Sequence, residues 1–333
     1  MAVLASNNPT LLDHAKALDP NGSIAAVVEI LNQTNEMLAD MTFIEGNLPT
    51  GHRTTIRTGL PTPTWRKLYG GVQPTKSRRE QVTDSCGMLE DYAEIDKALA
   101  DLNGNTSEFR LSEARAHIEG ITQSLQDTAI YGNTDLNPER FMGLAPRFND
   151  LGAANADNII DAGGTGTDNA SIWLVCWGNE TCHGIIPKGS TAGIQVNDKG
   201  QVTVENADGA NGRMEAYRTH FRLDAGLTVK DWRYVVRICN IDRSALTADA
   251  SAGANIPNLM FQAVELIPSM GMGRPAFYMD RQVRTIYRQQ LAAAVKTSTL
   301  EVADVGGIKS PLFQGEIPIR KVDKLAVDEA RIV

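Results

Sequence analysis

A chain of 333 residues, 42% of them apolar and 22% charged, has room for about two domains and a sizeable core, which excludes a disordered tail. Its net charge of −8 excludes a surface built as a whole for nucleic acid, though not a local basic patch. No apolar run approaches the roughly 20 residues that cross a bilayer, so no membrane partner is expected.

Residues 1–22, broken by Pro9, Pro20 and Gly22, read as an extended arm. The segment from Met1 to Pro9 lacks a basic region followed by an apolar core, so no secretory signal is expected and synthesis in the cytoplasm is the default. Ser23 can cap a helix from Ile24 to about Met41, with Ile24, Val27, Val28, Leu31, Leu38 and Met41 at helical spacing. A helix packed on its own core and one docked on a neighbouring subunit fit that pattern equally.

Residues 46–85 are punctuated by glycine and proline. Thr54–Thr58 and Thr64–Tyr69 alternate and favour strand. From His52 to Glu80 there are seven cations (Arg53, Arg57, Arg66, Lys67, Lys76, Arg78, Arg79) against Glu80, so the stretch carries +6 within a chain of −8. The pattern predicts a projecting two-stranded loop with little core of its own. Either it is a solvated loop or it lies on an acidic neighbour or nucleic acid, and the acidity of the rest of the chain favours a protein neighbour. Residues 86–104, with Met88, Leu89, Tyr92, Ile95 and Leu99 among acids, predict a short helical segment ending at Asn103-Gly104.

Next comes the longest periodic stretch. Asn105, Thr106 and Ser107 can cap a helix, and Ala114, Ile118, Ile121, Leu125 and Ala129 recur on one face. From Ser107 to Tyr131 it would run about 37 Å at 1.5 Å per residue. Gly132 suits a left-handed position just past the helix end. Asn137-Pro138-Glu139-Arg140-Phe141-Met142-Gly143-Leu144 follows as a compact tail.

Residues 145–170 are loop-rich. Asp161–Asn169 has phosphate-loop flexibility, but neither its glycine spacing nor a lysine fits, so it reads as a connection between domains. Residues 171–242 read as largely β. Ile172–Trp177 is a buried-type strand, Ile194–Val204 a hairpin turning at Asn197-Asp198-Lys199-Gly200, and Trp232–Cys239 a strand with one wetter face. Residues 243–255 are a linker. A helical or turn-like segment after Pro257, a strand at Ala276–Met279, a helix Arg281–Val295 capped by Asp280, and a turn with a final strand over Phe313–Arg320 complete the chain.

No catalytic constellation emerges. H-E-x-x-H, G-x-S-x-G, the Walker loop and tandem C-x-x-C are all absent, and the five histidines share no spacing with acids or cysteines. Cys176, Cys182 and His183 lack the second tight pair of a zinc site, so all four cysteines read as buried thiols. No catalytic residue, metal or cofactor is expected.

The long helix ending at Tyr131-Gly132, followed by Pro138-Glu139-x-Phe141-x-Gly143-Leu144, resembles the spine helix and turn of tailed-phage major capsid proteins of the Hong Kong 97 type. The basic hairpin sits where that family has its extended loop, after an N-terminal arm. Phe277-Tyr278-Met279-Asp280 before a helix, and Gln314-Gly315-x-Ile317-Pro318-Ile319 before Asp323-x-Leu325, resemble later family steps. The likeness covers most of the chain and looks nearest to short-tailed phages.

The resemblance implies an α+β fold with an N-terminal arm at 1–45 and an extended loop at 46–85. A peripheral domain would span 86–150 and about 226–246, and an axial domain 151–225 and about 247–333. The β-rich region comes before the strand-to-helix step here, so the axial domain is expected in rearranged order, with the final strand in its sheet. The resemblance further implies pentamers and hexamers in an icosahedral shell around double-stranded DNA, with portal, scaffolding and decoration proteins as partners. Arg53, Arg57, Trp65, Arg66, Lys67, Lys76, Arg78 and Arg79 are the inter-subunit contact candidates, and Ala114, Ile118, Ile121 and Leu125 the packing face of the spine. Some relatives weld subunits by a lysine–asparagine bond; Lys67, Lys76 and Asn137 are placed for it, but no promoting acid is evident, so a noncovalent shell is expected. A cytosolic enzyme or metal-binding protein with a dispersed site, and a phage tail or decoration component, are the rival readings.

Overall fold

The computed structural model describes residues 35–104, 106–205, 211–248, 250–294, 302–305, 308–313 and 316–333. The arm, most of the Ile24–Met41 helix, the Asn105 cap, Val295 and the Gln314-Gly315 step lie outside them. The elements are α1 (Glu36–Asp40), β1 (Phe43–Glu45), β2 (Gly51–Gly59), β3 (Arg78–Asp96), α2 (Lys97–Ala100), α3 (Thr106–Tyr131), β4 (Ile159–Asp161), β5 (Asn169–Trp177) and β6 (Cys182–Ile186). Then follow β7 (Gln195–Glu205), β8 (Arg213–Val229), β9 (Val235–Asp242), α4 (Ile256–Leu266), β10 (Arg274–Met279), α5 (Arg281–Ala294), β11 (Val302–Val305), β12 (Ile308–Phe313) and β13 (Ile317–Lys321). The fold is α+β, and its contacts divide it into two units.

One unit comprises Met88–Asp127 and the described part of Thr191–Asp224. β7 and β8 pair antiparallel from Gln195↔Arg222 to Glu205↔Arg213. Alternate β8 side chains meet the far part of β3: Arg218 bonds Glu94 at 2.5 Å, and His220 stacks on Tyr92 at 4.4 Å. On the opposite face His117 of α3 bonds Asp91 at 2.5 Å and stacks on Phe221 at 5.6 Å. Ile95, Leu99, Ala100 and Phe109 form its small core.

Two expectations are corrected in this unit. Residues 86–96 are strand, not helix: Ala93 and Ile95 are buried while Met88 and Tyr92 are exposed, a period of two that the acids between them mask. The helical part shrinks to Lys97–Ala100, capped by the Asp96 carboxylate. Asn197–Gly200 is no hairpin turn, for β7 runs straight through it with a register shift between Asp198 and Gly200. Gly200 takes φ +68° and donates its N–H to Asp198 Oδ1 at 2.8 Å, the chemistry of a bulge. The antiparallel pairing with β8 continues past it to Glu205↔Arg213.

The other unit comprises 35–87 and the described parts of Thr128–Ser190 and Ala225–Val333. β5 lies between β10 and β9, antiparallel to both, and every residue of it is buried. β4 extends the sheet beyond β9, and β13 lies parallel to β10, with β12 and β11 beyond. One face of the sheet is covered by α4 and α5, where Ile256, Met260, Ala263, Val283 and Tyr287 pack on Ile172, Leu174, Val236, Phe277 and Ile319. Full burial of each such side chain contributes about 1.5–3 kcal/mol, so this cluster dominates the unit. Asp280 caps α5 by accepting from Gln282 N at 2.7 Å, as its position predicts.

Further expectations are corrected here. Loop 162–168 does not join domains; it connects β4 to β5 of a single sheet. β9 has no wet face, since Val235–Ile241 are all buried. Arg237, the residue that suggested water, is 4% exposed, lies 4.9 Å from the Trp173 ring and is neutralised by Glu329 at 2.8 Å. Aromatic beside arginine here is internal packing.

Candidate functional site

Two structures stand out for a contact role: the end of α3 and the hairpin of β2 with β3. The helix end is built by the tail that follows it. Gly132 is not left-handed, contrary to expectation; its requirement is closeness. A Cβ there would sit 2.4 Å from Phe141 O and 2.5 Å from Thr128 O. A Cβ on Gly143 would lie 2.6 Å from Thr128 O and 2.8 Å from Ile130 O. With no side chain in the way, Gly143 N donates to Gly132 O at 2.7 Å and Leu144 N to Ala129 O at 3.0 Å. These bonds satisfy carbonyls that a helix end leaves open. Phe141 and Leu144 are buried beside them.

Arg147 ties this tail to the hairpin. Its Nη2 donates to Asp84 Oδ1 on β3 at 2.8 Å, to Met142 O at 3.2 Å and to Leu227 O at 3.3 Å. Asp84 is only 6% exposed, so the pair is shielded from water. At the same root Asn47 bridges the backbone of Arg53 in both directions, at 2.7 and 2.8 Å. Nothing in the sequence spacing marks Arg147 or Asp84, because they act across distant segments, while Asn47 acts locally, six residues from Arg53.

Beyond the root β2 and β3 pair antiparallel from Gly51↔Ser85 to Gly59↔Arg78. The second strand is thus 78–96 and not Thr64–Tyr69. That stretch is loop, because Pro61 and Pro63 lack N–H donors and no strand lies beside it. Arg53, Arg57, Trp65, Arg66, Lys67, Lys76, Arg78 and Arg79 are all exposed. None of these cations forms an ion pair among the described residues. Arg57 stands directly opposite Arg79, a like-charge pair that weakens an isolated hairpin. At the tip Gly70 N bonds Lys67 O at 3.0 Å, with Tyr69 at φ +61°. That turn holds apolar side chains in solvent, with Trp65 99%, Leu68 87% and Leu60 76% exposed. The +6 charge pointed to this region, while Leu60, Leu68 and Tyr69 were not among the contact candidates.

The spine candidates lie on α3 with unequal burial. Ile121 is 3% exposed, whereas Ala114, Ile118 and Leu125 are half-buried. Phe109, Gln126, Ala129 and Ile130 are buried as well. Among the described residues no His, Cys, Asp or Glu cluster could hold a metal, and no helix is long and apolar enough to cross a membrane.

A family model described as major capsid protein GP7 matches residues 19–333. The chain belongs to the GP7 major capsid protein family. A near-atomic structure of bacteriophage Epsilon15 contains a chain 38% identical to this GP7-family protein, with a TM-score of 0.79, covering 100% of this chain and 99% of that one. The capsid chain of bacteriophage JBD30 is 9% identical over 90% of this chain and 95% of its own, with a TM-score of 0.48. A chain from the capsid of a native GTA particle is 8% identical over 67% and 95%, with a TM-score of 0.45. Neither of these two is near enough to carry an argument. No curated protein sequence matches. The GP7-family chain is therefore a capsid shell protein with the Hong Kong 97 type fold, a component of the virion that assembles into capsomers.

Proposed function

We propose that the chain assembles into pentamers and hexamers of a closed icosahedral shell around phage double-stranded DNA, with the basic hairpin laid over an adjacent copy. The observation that carries this is the hairpin tip. Trp65 is 99% exposed, and Arg57 faces Arg79 without an anion, an arrangement that gains stability only when another surface covers it. A chain of net charge −8 supplies that acidic surface in its own copies. Each contact is modest, and closure over many copies multiplies it.

In this reading residues 151–225 and about 247–333 take the axial place, in the rearranged order noted above, and α3 is the spine of the peripheral part at 86–150 and about 226–246. Portal, scaffolding and decoration proteins are its partners, the DNA is met without sequence preference, and the chain is made in the host cytoplasm. The role is structural, with no catalysis. The shell is noncovalent: Lys67, Lys76 and Asn137 are exposed, and the sequence places no evident acid to promote a bond between them. Negative-stain imaging of the expressed full chain tests the proposal. Closed particles are expected; a stable dimer, a bound metal or a tube would overturn it. Ladders on reducing, denaturing electrophoresis of the particles would overturn the noncovalent reading.

A further inference from the structure

His52, near the start of β2, meets His183 of β6 ring to ring, with centroids 5.8 Å apart and planes at 78°. In hydrogen-bond order β2 lies three strands from β6, so this contact joins the hairpin root to a strand it does not pair with. His183 is 1% exposed; its ring bonds the Gly178 backbone, and its Nδ1 has no partner. Nδ1 of His52 and Oγ1 of Thr228, which faces His183 in the β6–β8 register, have none either.

The charges around the rings oppose a proton. Lys230, just past β8, acts on both rings. It stands 3.6 Å from Glu180, whose carboxylate is mostly exposed and screened. Asp84, opposite His52 across β3, is the buried acid at the root, and Arg147 already holds it at 2.8 Å. Burial, and then Lys230, lower both imidazoles, with His183 down to about 4.

We propose that His52 and His183 form a proton-operated catch, seating the hairpin root against β6 when neutral and opening it when protonated, while the sheet around β5 stays closed. A histidine held neutral in the closed form takes up its proton on opening, so opening is favoured as pH falls from about 6.5 toward 4. At pH 5.5 His183 alone raises the open population about tenfold over neutral pH. The consequence for assembly rests on the reading of the hairpin as an inter-subunit arm. The opening itself is a property of one chain.

Hydrogen exchange of the full-length chain at pH 7.5 and 5.5, with intrinsic rates divided out, reads the catch. Peptides covering 51–59 and 78–87 should exchange about tenfold faster at pH 5.5, with 172–177 unchanged as the reference. His183→Gln should flatten that response. Where that variant does not fold, Lys230→Gln, at a partly exposed site, should raise the closed-form imidazoles toward the open-form value and so shrink the response, most below pH 5.5. Equal protection at both pH values, or acceleration spread evenly over the reference strand, overturns the proposal. Imaging of particles at pH 7.5 reports separately on the shell reading.

Discussion

Arg237 and Glu329 lie 2.8 Å apart with their side chains 5% and 7% exposed, a closed ion pair at the centre of the larger unit. Arg237 also donates to Phe148 O at 2.8 Å, and Glu329 accepts from Tyr131 at 2.6 Å and from Ser171. Burial, and then the Glu329 charge, hold the Tyr131 hydroxyl protonated far above the ordinary phenol range, so it remains a donor. Glu329→Ala leaves a buried guanidinium unpaired and should destabilise the chain by about 3–5 kcal/mol. Adding Arg237→Met should recover most of that loss. Denaturant unfolding of both variants checks it, and a double variant no better than the single would show that the charge itself is not the cost.

The close approach at the spine's end has a steric test. Gly143→Ala forces a methyl against Thr128 and Ile130 carbonyls and breaks the Gly143–Gly132 bond. The expected loss is about 1–3 kcal/mol. Gly120→Ala, where a Cβ meets nothing, should be neutral or slightly stabilising. Thermal melts of the two variants separate close packing from general glycine effects.

Unequal burial along α3 predicts unequal damage. Ile121→Asp places a carboxylate at a site 3% exposed and should abolish particles. Ile118→Asp, at a half-buried site, should weaken assembly less. Sedimentation of expressed variants measures this, and equal effects would remove burial as the cause.

Changes at the hairpin tip should spare the subunit and harm the shell. Trp65→Ala is expected to leave the melting temperature unchanged while costing about 2 kcal/mol or more per contact, as a central interface aromatic does. Arg57→Glu with Arg79→Glu should stop closure and leave a folded monomer. Particle yield against monomer stability separates the two, and normal shells from the charge-reversed chain would contradict an acidic neighbouring surface.

Thiol chemistry gives an independent check on the core. Burial pushes Cys176 and Cys239 up to about 11 and Cys182 higher still. Cys86 is half-buried. At pH 8 a disulfide reagent should label Cys86 first and the other three only in denaturant. Fast native labelling of Cys182 would show that β6 is open.

The parts legible in the sequence were those with a local cause. The period of α3, the Asp280 cap and the apolar run Ile172–Trp177 follow from neighbours in the chain. Charge counting also marked residues 52–80, because basic excess needs no geometry. Failures came where partners are remote. The acids of β3 resembled a helical surface because their pairing arginines sit on β8, and Arg237 suggested a wet face because Glu329 lies 92 residues away. The turn-like Asn197–Gly200 concealed a bulge, since bulge and hairpin use the same residues at the same φ. His52 and His183 carried no signal, being 131 residues apart in sequence with no motif between them.

The distance from Arg237 to Glu329 along the chain also sets an order of events during synthesis. Arg237 leaves the ribosome 92 residues ahead of the carboxylate that neutralises it. Until that carboxylate follows, the sheet would enclose a bare cation, and the Tyr131 hydroxyl at the end of the spine has no acceptor there. Closing the larger unit around Arg237 without that carboxylate carries the full cost of a buried unpaired charge, so the last-made part of the pair sets when closure becomes favourable.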